Sequence, residues 1–267
     1  MNRKEHPKKE KMTDREEQLK AFGRLLDIME ELRKKCPWDR KQTFETLRPL
    51  TIEETYELGD AILNKDMNQV QNELGDLLLH IVFYAKLGAE KEAFDIGDVA
   101  HEIAEKLIYR HPHIYGDVIA EDEETVKKNW EQLKLKEGKK SIFSGVPKGL
   151  PSLVKAQRIQ QKAAGVGFDW DNSTQVWKKV NEELQEFQEE IEKGDPLAME
   201  DEFGDVLFSL LNYARFKNID ADSALERTNK KFMERFRYME EQATIQGRSV
   251  SDMSLTELEA LWQESKA

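Results

Sequence analysis

The 267-residue chain is predicted to be all-α and built from two tandem helical repeats, and three observations predict it. Charged residues make up 35% of the chain and only 14 Gly and 7 Pro interrupt it, a Glu-, Lys- and Leu-rich mixture that favours amphipathic helices over strands. Apolar residues recur at three- and four-residue spacing along most of the length, which is the helical period. Residues 51–86 laid on 180–215, a constant shift of 129 without a gap, agree at 11 of 36 positions, so the two halves read as copies.

The periodicity places helices at Leu19–Leu32, Leu50–Leu63, Leu74–Leu87 and Val99–Ile108. Pro37, Pro49, Pro112 and the region of Gly88 are taken as their breaks, because proline lacks an amide donor and glycine is a poor helix former. A further helix is expected over Glu123–Lys136, ending at Gly138. Residues 139–152, rich in Gly, Pro and Ser, are assigned as a linker. It separates an N-terminal helical domain over 16–138 from a C-terminal one over 153–267. Helices resume at Leu153–Ala164, Val176–Glu192, Leu197–Phe216, Ala221–Thr244 and Leu255–Trp262. Residues 1–15 read as a disordered charged tail, lacking the apolar middle of a secretory leader.

A formal charge of −12 opposes a nucleic-acid partner. No apolar run approaches the about 18–20 residues of a membrane span. The single cysteine, Cys36, fits a reducing cytoplasm, where the Asn172-Ser173-Thr174 sequon carries no meaning.

The repeat keeps its acids in register. Glu53, Glu54 and Glu57 fall on Glu182, Glu183 and Glu186, and Glu73, Gly75 and Asp76 fall on Glu202, Gly204 and Asp205. Residues three or four apart share a helix face, so Glu54 with Glu57, and Glu73 with Asp76, project as pairs. If the two helices fold back across the turn at Asn64–Gln69, four carboxylates converge. Their mutual repulsion makes sense only with a compensating cation. An all-oxygen ligand set selects Mg²⁺ or Mn²⁺ over Zn²⁺. Gly75 and Gly204 sit in mid-helix beside the last acid, at a cost of about 0.5–1 kcal/mol against Ala that close helix approach or room for a ligand would explain.

Several segments resemble one family: Cys36-Pro37-Trp38-Asp39-Arg40 with Gln42-Thr43, Glu53-Glu54-Thr55-Tyr56-Glu57, Glu73-Leu74-Gly75-Asp76-Leu77-Leu78, Gly145-Val146-Pro147-Lys148-Gly149-Leu150-Pro151, and Ala163 through Asp171. Across about residues 20–265 the chain resembles the MazG family of two-repeat nucleoside triphosphate pyrophosphohydrolases. The resemblance implies that each repeat contributes to a four-helix bundle completed by a second subunit, as a homodimer. It also implies Mg²⁺-dependent cleavage of nucleoside triphosphates, deoxynucleotides included, to monophosphate and pyrophosphate. Carried over, the metal ligands are Glu183, Glu186, Glu202 and Asp205 in the second repeat and Glu54, Glu57, Glu73 and Asp76 in the first. Glu182 and Glu53 resemble the acid that handles the attacking water. Lys231 and Arg235, with Lys179, resemble phosphate contacts, and Trp262 the contact to the base. In the family the C-terminal repeat is often the main catalytic one; Lys231 and Arg235 have no clean counterpart near Glu105–Pro112, which counts against catalysis, though not metal binding, by the first repeat, and its complete acid motif leaves its activity open.

Other residues offer less. Cys36 has no His partner for a nucleophile, His111-Pro112-His113 is too sparse for zinc, and Trp38 and Trp170 read as packing residues. His80, one turn after Asp76, stands where the second repeat has Ser209. Two alternatives stay open: a narrower pyrophosphohydrolase acting on dUTP, dCTP or phosphoribosyl-ATP, and a non-catalytic scaffold whose acidic helices recruit basic partners.

Overall fold

The computed structural model describes residues 14–116, 126 and 141–266. The expected helix over 123–136, apart from residue 126, and nearly all of the charged tail lie outside the described residues. Among those described there are ten α-helices, no strand, and three short 3-10 turns at Asp39–Lys41, Ile142–Gly145 and Val250–Asp252. The helices are α1 (Arg15–Lys35), α2 (Phe44–Leu63), α3 (Met67–Glu90), α4 (Ile96–Arg110), α5 (Pro112–Tyr115), α6 (Ser152–Gly165), α7 (Ser173–Lys193), α8 (Pro196–Phe216), α9 (Ala221–Ile245) and α10 (Leu255–Glu264). The chain divides into two compact units, Met1–Tyr109 and Arg110–Ala267. The described end of the expected linker packs its 3-10 turn on α6, and Lys155 Nζ donates to the carbonyl of Lys148 at 2.8 Å.

In the first unit α2 and α3 pair, and α1 packs on α3. Met29, Leu47, Val82, Phe83 and Leu87 form the core, with Phe22, Phe44, Leu50 and Ile96 packed against it. Arg33 closes the far end of α1, pairing with Glu90 at 2.6 Å and donating to the carbonyls of Asp39 and Gln42. In the second unit α7 and α8 form the matching pair, and α6 packs on α8 as α1 does on α3. Val176, Val180, Val206 and Leu211 are buried there.

Pro49 does not end a helix; it lies inside α2. Thr43 and Thr46 form a capping box that starts α2 six residues earlier. With the first turn secured and Leu47 wholly buried, the loss of the single bond to the Glu45 carbonyl is tolerated. Gly88 lies within α3 near its end, and a side chain there would meet the Phe94 ring at 2.7 Å and its carbonyl at 2.8 Å, so glycine is required by close packing.

Both repeats leave the same stripe uncovered. Leu74, Leu78 and Ile81 on α3, and their equivalents Phe203, Leu207 and Leu210 on α8, are all exposed. No helix among the described residues is long and apolar enough to cross a membrane.

Candidate metal and nucleotide site

Each carboxylate cluster is built by one helical hairpin. Asp66 caps α3 by accepting from the amides of Asn68 and Gln69, and Asp195 caps α8 through Leu197 and Ala198. These aspartates are themselves repeat-equivalent, so the turn that folds each pair back is encoded with the acids. The backbone of that turn passes through the left-handed region at Lys65 (φ 56) and at its counterpart Gly194 (φ 73).

The hairpins bring together Glu54, Glu57 and Glu73 in one unit and Glu183, Glu202 and Asp205 in the other, each group with oxygens within 4.8 Å of one another. Glu73 and Glu183 are buried. Asp76 and Glu186 stand outside these tight groups but within electrostatic reach. Burial first, then the charges of Asp76, Glu57 and Glu73, pushes the Glu54 carboxyl above its ordinary value. Burial, then Asp205 and Glu183, does the same to Glu202. Glu186 is raised by burial first and then by the neighbouring Glu183 carboxylate. Oxygen-only groups crowded until they favour protonation fit a hard divalent cation.

Lys179 distinguishes the second site. Its ammonium lies 2.6 Å from Glu182 and 2.8 Å from Glu183, and both bonds raise its pKa. The repeat-equivalent position in the first unit is Leu50, which packs on the core. Glu182 is exposed beside the cluster, and Glu53 is the exposed equivalent whose charge also reaches Glu54. Lys231, Arg235 and Trp262 stand on other helices than the carboxylates. They gather on α9 and α10, where Trp262 packs on Phe232 with ring centroids 5.0 Å apart and the Arg235 guanidinium lies 5.5 Å from the Trp262 ring. Lys231, one turn earlier on α9, is exposed.

Neither Gly75 nor Gly204 is held by close packing, since a Cβ at either would meet nothing within 4 Å. The space at both positions is open, which leaves room beside the acids. His80 is buried, with Nδ1 lacking a partner and its pKa lowered by burial against the opposing charge of Asp76. Pattern reasoning overlooked a bidentate pair between Arg215 and Asp169 and the half-buried Asn212 that Arg215 also grips. The only hint was the acid in Gly167-Phe168-Asp169-Trp170, whose partner lies 46 residues away.

The MazG nucleotide pyrophosphohydrolase domain matches the chain twice, over residues 42–115 and 172–239. The nucleoside triphosphate pyrophosphohydrolase of Escherichia coli (strain K12) is 41% identical over 257 residues, covering 93% of this chain and 98% of that protein. The nucleoside triphosphate pyrophosphohydrolase/pyrophosphatase MazG of Thermotoga maritima is 44% identical over 250 residues, covering 92% and 95%. YabN of Bacillus subtilis, with 43% identity over 251 residues, matches with only 51% of its length. With both matched segments spanning the hairpins that gather the acids, and with relatives aligned from end to end, the chain belongs to the MazG family of nucleotide pyrophosphohydrolases.

Proposed function

We propose that the chain hydrolyses ribo- and deoxynucleoside triphosphates to the monophosphate and pyrophosphate in a Mg²⁺-dependent reaction, serving nucleotide house-cleaning or pool regulation. The observation that carries this is the convergence of Glu183, Glu202 and Asp205 within 4.8 Å on one hairpin, with Glu186 within electrostatic reach of the same group. The names of the full-length relatives support the substrate class.

Glu183, Glu186, Glu202 and Asp205 would hold Mg²⁺, or Mn²⁺ in its place, and the cation would supply positive charge to the triphosphate oxygens and acidity to water. Glu54, Glu57, Glu73 and Asp76 would hold a cation in the same way in the first unit. The chain's own groups then divide the work. Glu182, exposed next to the first ligand, accepts the proton of the water that attacks the α-phosphorus as pyrophosphate departs. Lys179 positions Glu182 and Glu183 against each other. Lys231 and Arg235 neutralise the β- and γ-phosphates, with Trp262 bracing the guanidinium. Glu53 stands where the water-handling acid would be in the first unit, but that unit has leucine in place of Lys179, so the second unit carries the main activity. A second copy of the chain, seated on the exposed stripes of α3 and α8, completes the bundles as a homodimer.

Incubation with each nucleoside triphosphate and Mg²⁺ is expected to release pyrophosphate in equal amount to monophosphate. Glu183→Ala or Asp205→Ala is expected to lower turnover at least about 100-fold, or roughly 3 kcal/mol of barrier, with circular dichroism unchanged. Release of orthophosphate, or near-normal rates in both variants, would overturn the assignment.

A further inference from the structure

The two carboxylate groups are near copies in their acids and unlike in what neutralises them. Glu73 and Glu183 are the buried members, 6% and 7% exposed. Glu183 has a counter-ion in Lys179, whose ammonium lies 2.8 Å from it and 2.6 Å from Glu182. The same charge reaches Glu186, where it opposes the rise caused by burial and by Glu183. Glu73 has no such partner. Among the described residues no hydrogen bond or ion pair meets the carboxylates of Glu54, Glu57, Glu73 or Asp76, and every charge acting on Glu54 is another acid. Leu50 takes the place of Lys179 and packs on the core. His80, one turn after Asp76, brings no charge at pH 7, because burial lowers its pKa.

This difference acts on cation affinity. A buried carboxylate without a counter-charge is costly, and in an oxygen-only group a divalent cation is the charge that meets it. An ammonium at hydrogen-bond distance works the other way. It already offsets the acid, it must release Glu183 before a cation takes that oxygen, and once displaced it still repels the cation. At about 5 Å, with the screening of a partly exposed site, one unit charge changes the affinity for a divalent cation by about tenfold or more. The Lys179 side chain is 34% exposed, which keeps the effect to that order.

We propose that the two groups load differently, an inference that rests on assigning both to divalent cations. Glu54, Glu57, Glu73 and Asp76 hold a standing cation taken from solution. Glu183, Glu186, Glu202 and Asp205, with Lys179 among them, take theirs together with the triphosphate. The triphosphate brings negative charge that outweighs Lys179, and its oxygens accept from the ammonium in exchange for Glu183. The first group therefore stays loaded between turnovers, and Lys179 ties loading of the second to the presence of substrate.

The test titrates the full chain with Mn²⁺ at pH 7, because the paramagnetic resonance signal of the free ion vanishes on binding and uptake is read without turnover. Without nucleotide, the wild type is expected to show one class of site and a second at least about tenfold weaker. Glu73→Gln is expected to abolish the tighter class and leave the weaker. Lys179→Met, which approximates the leucine of the first repeat, is expected to tighten the weaker class at least about fivefold and leave the tighter unchanged. Two equal classes, a weaker class indifferent to Lys179→Met, or a tighter class removed by Glu202→Gln and not by Glu73→Gln would overturn the proposal. If Lys179→Met fails to fold, the ranking of the classes by the two glutamine variants decides. Calorimetry with Mg²⁺ and α,β-methylene-ATP, which resists cleavage, separates this inference from the reading beneath it. Wild type that binds this nucleotide and loses it in Glu202→Gln, yet fails the Mn²⁺ ranking, overturns the inference alone. Wild type that takes up neither Mn²⁺ nor nucleotide overturns both.

Discussion

At the scale of single residues, Gly204 sets stability against function. Nothing stands within 4 Å of where its Cβ would be, so Gly204→Ala relieves the conformational cost of glycine in α8 without a clash. The variant is expected to gain about 0.5–1 kcal/mol in thermal unfolding and to lose kcat/KM, because the methyl group occupies space kept beside Asp205. A gain in both would refute that use of the space. Lys179 was legible in sequence as a cation one turn before Glu183, but not as the partner of both Glu182 and Glu183. Spacing places it within reach of either acid, and only the rotamers decide.

At the scale of elements, the two hairpins solve one turn with different residues. Lys65 adopts φ 56 and Gly194 adopts φ 73 at the same repeat position. A left-handed conformation costs a side-chain-bearing residue about 1–2 kcal/mol, part of which glycine returns as unfolded-state entropy. Lys65→Gly is therefore expected to raise the stability of the first unit by up to about 1 kcal/mol, and Gly194→Ala to lower that of the second by a similar amount. Denaturant midpoints check both, and opposite signs would contradict the turn geometry. Helix identity and order were legible because the apolar period runs through each helix, and Asp66, Asn172 and Asp195 cap α3, α7 and α8 close to where it begins. The start of α2 was not, since Pro49 is the louder local signal and the Thr43–Thr46 capping box outweighs it.

At the scale of the whole molecule, acids held above their ordinary pKa make stability depend on pH and cation together. Glu54, Glu186 and Glu202 bind protons more tightly folded than unfolded. Stability therefore falls as pH rises from the ordinary carboxylate value of 4.5 through the raised values, and stays lower above them. Glu257, held down to about 2 by Arg248 and the Ser254 amide, acts with the opposite sign, and its contribution is lost only as pH drops below that ordinary value. His80, whose pKa burial lowers, acts the opposite way below its ordinary value of 6.5 with or without the cation, so the signature of these acids is that Mg²⁺ raises the melting temperature more at pH 7 than near pH 5.5. An equal Mg²⁺ effect at both would argue against cation binding by these acids. The register of the two carboxylate groups was legible because eight acids repeat at one shift. The looser placement of Asp76 and Glu186 was not, because helix spacing fixes which side a residue faces but not its distance from the others.

The uncovered stripes Leu74–Leu78–Ile81 and Phe203–Leu207–Leu210 have a consequence for handling the protein. In the homodimer proposed above these greasy seams would be buried by association, so dilution would strip away part of what keeps each hairpin folded. Thermal midpoints should climb as the solution is made more concentrated, and a lone protomer at nanomolar levels should be the form most readily cut by proteases.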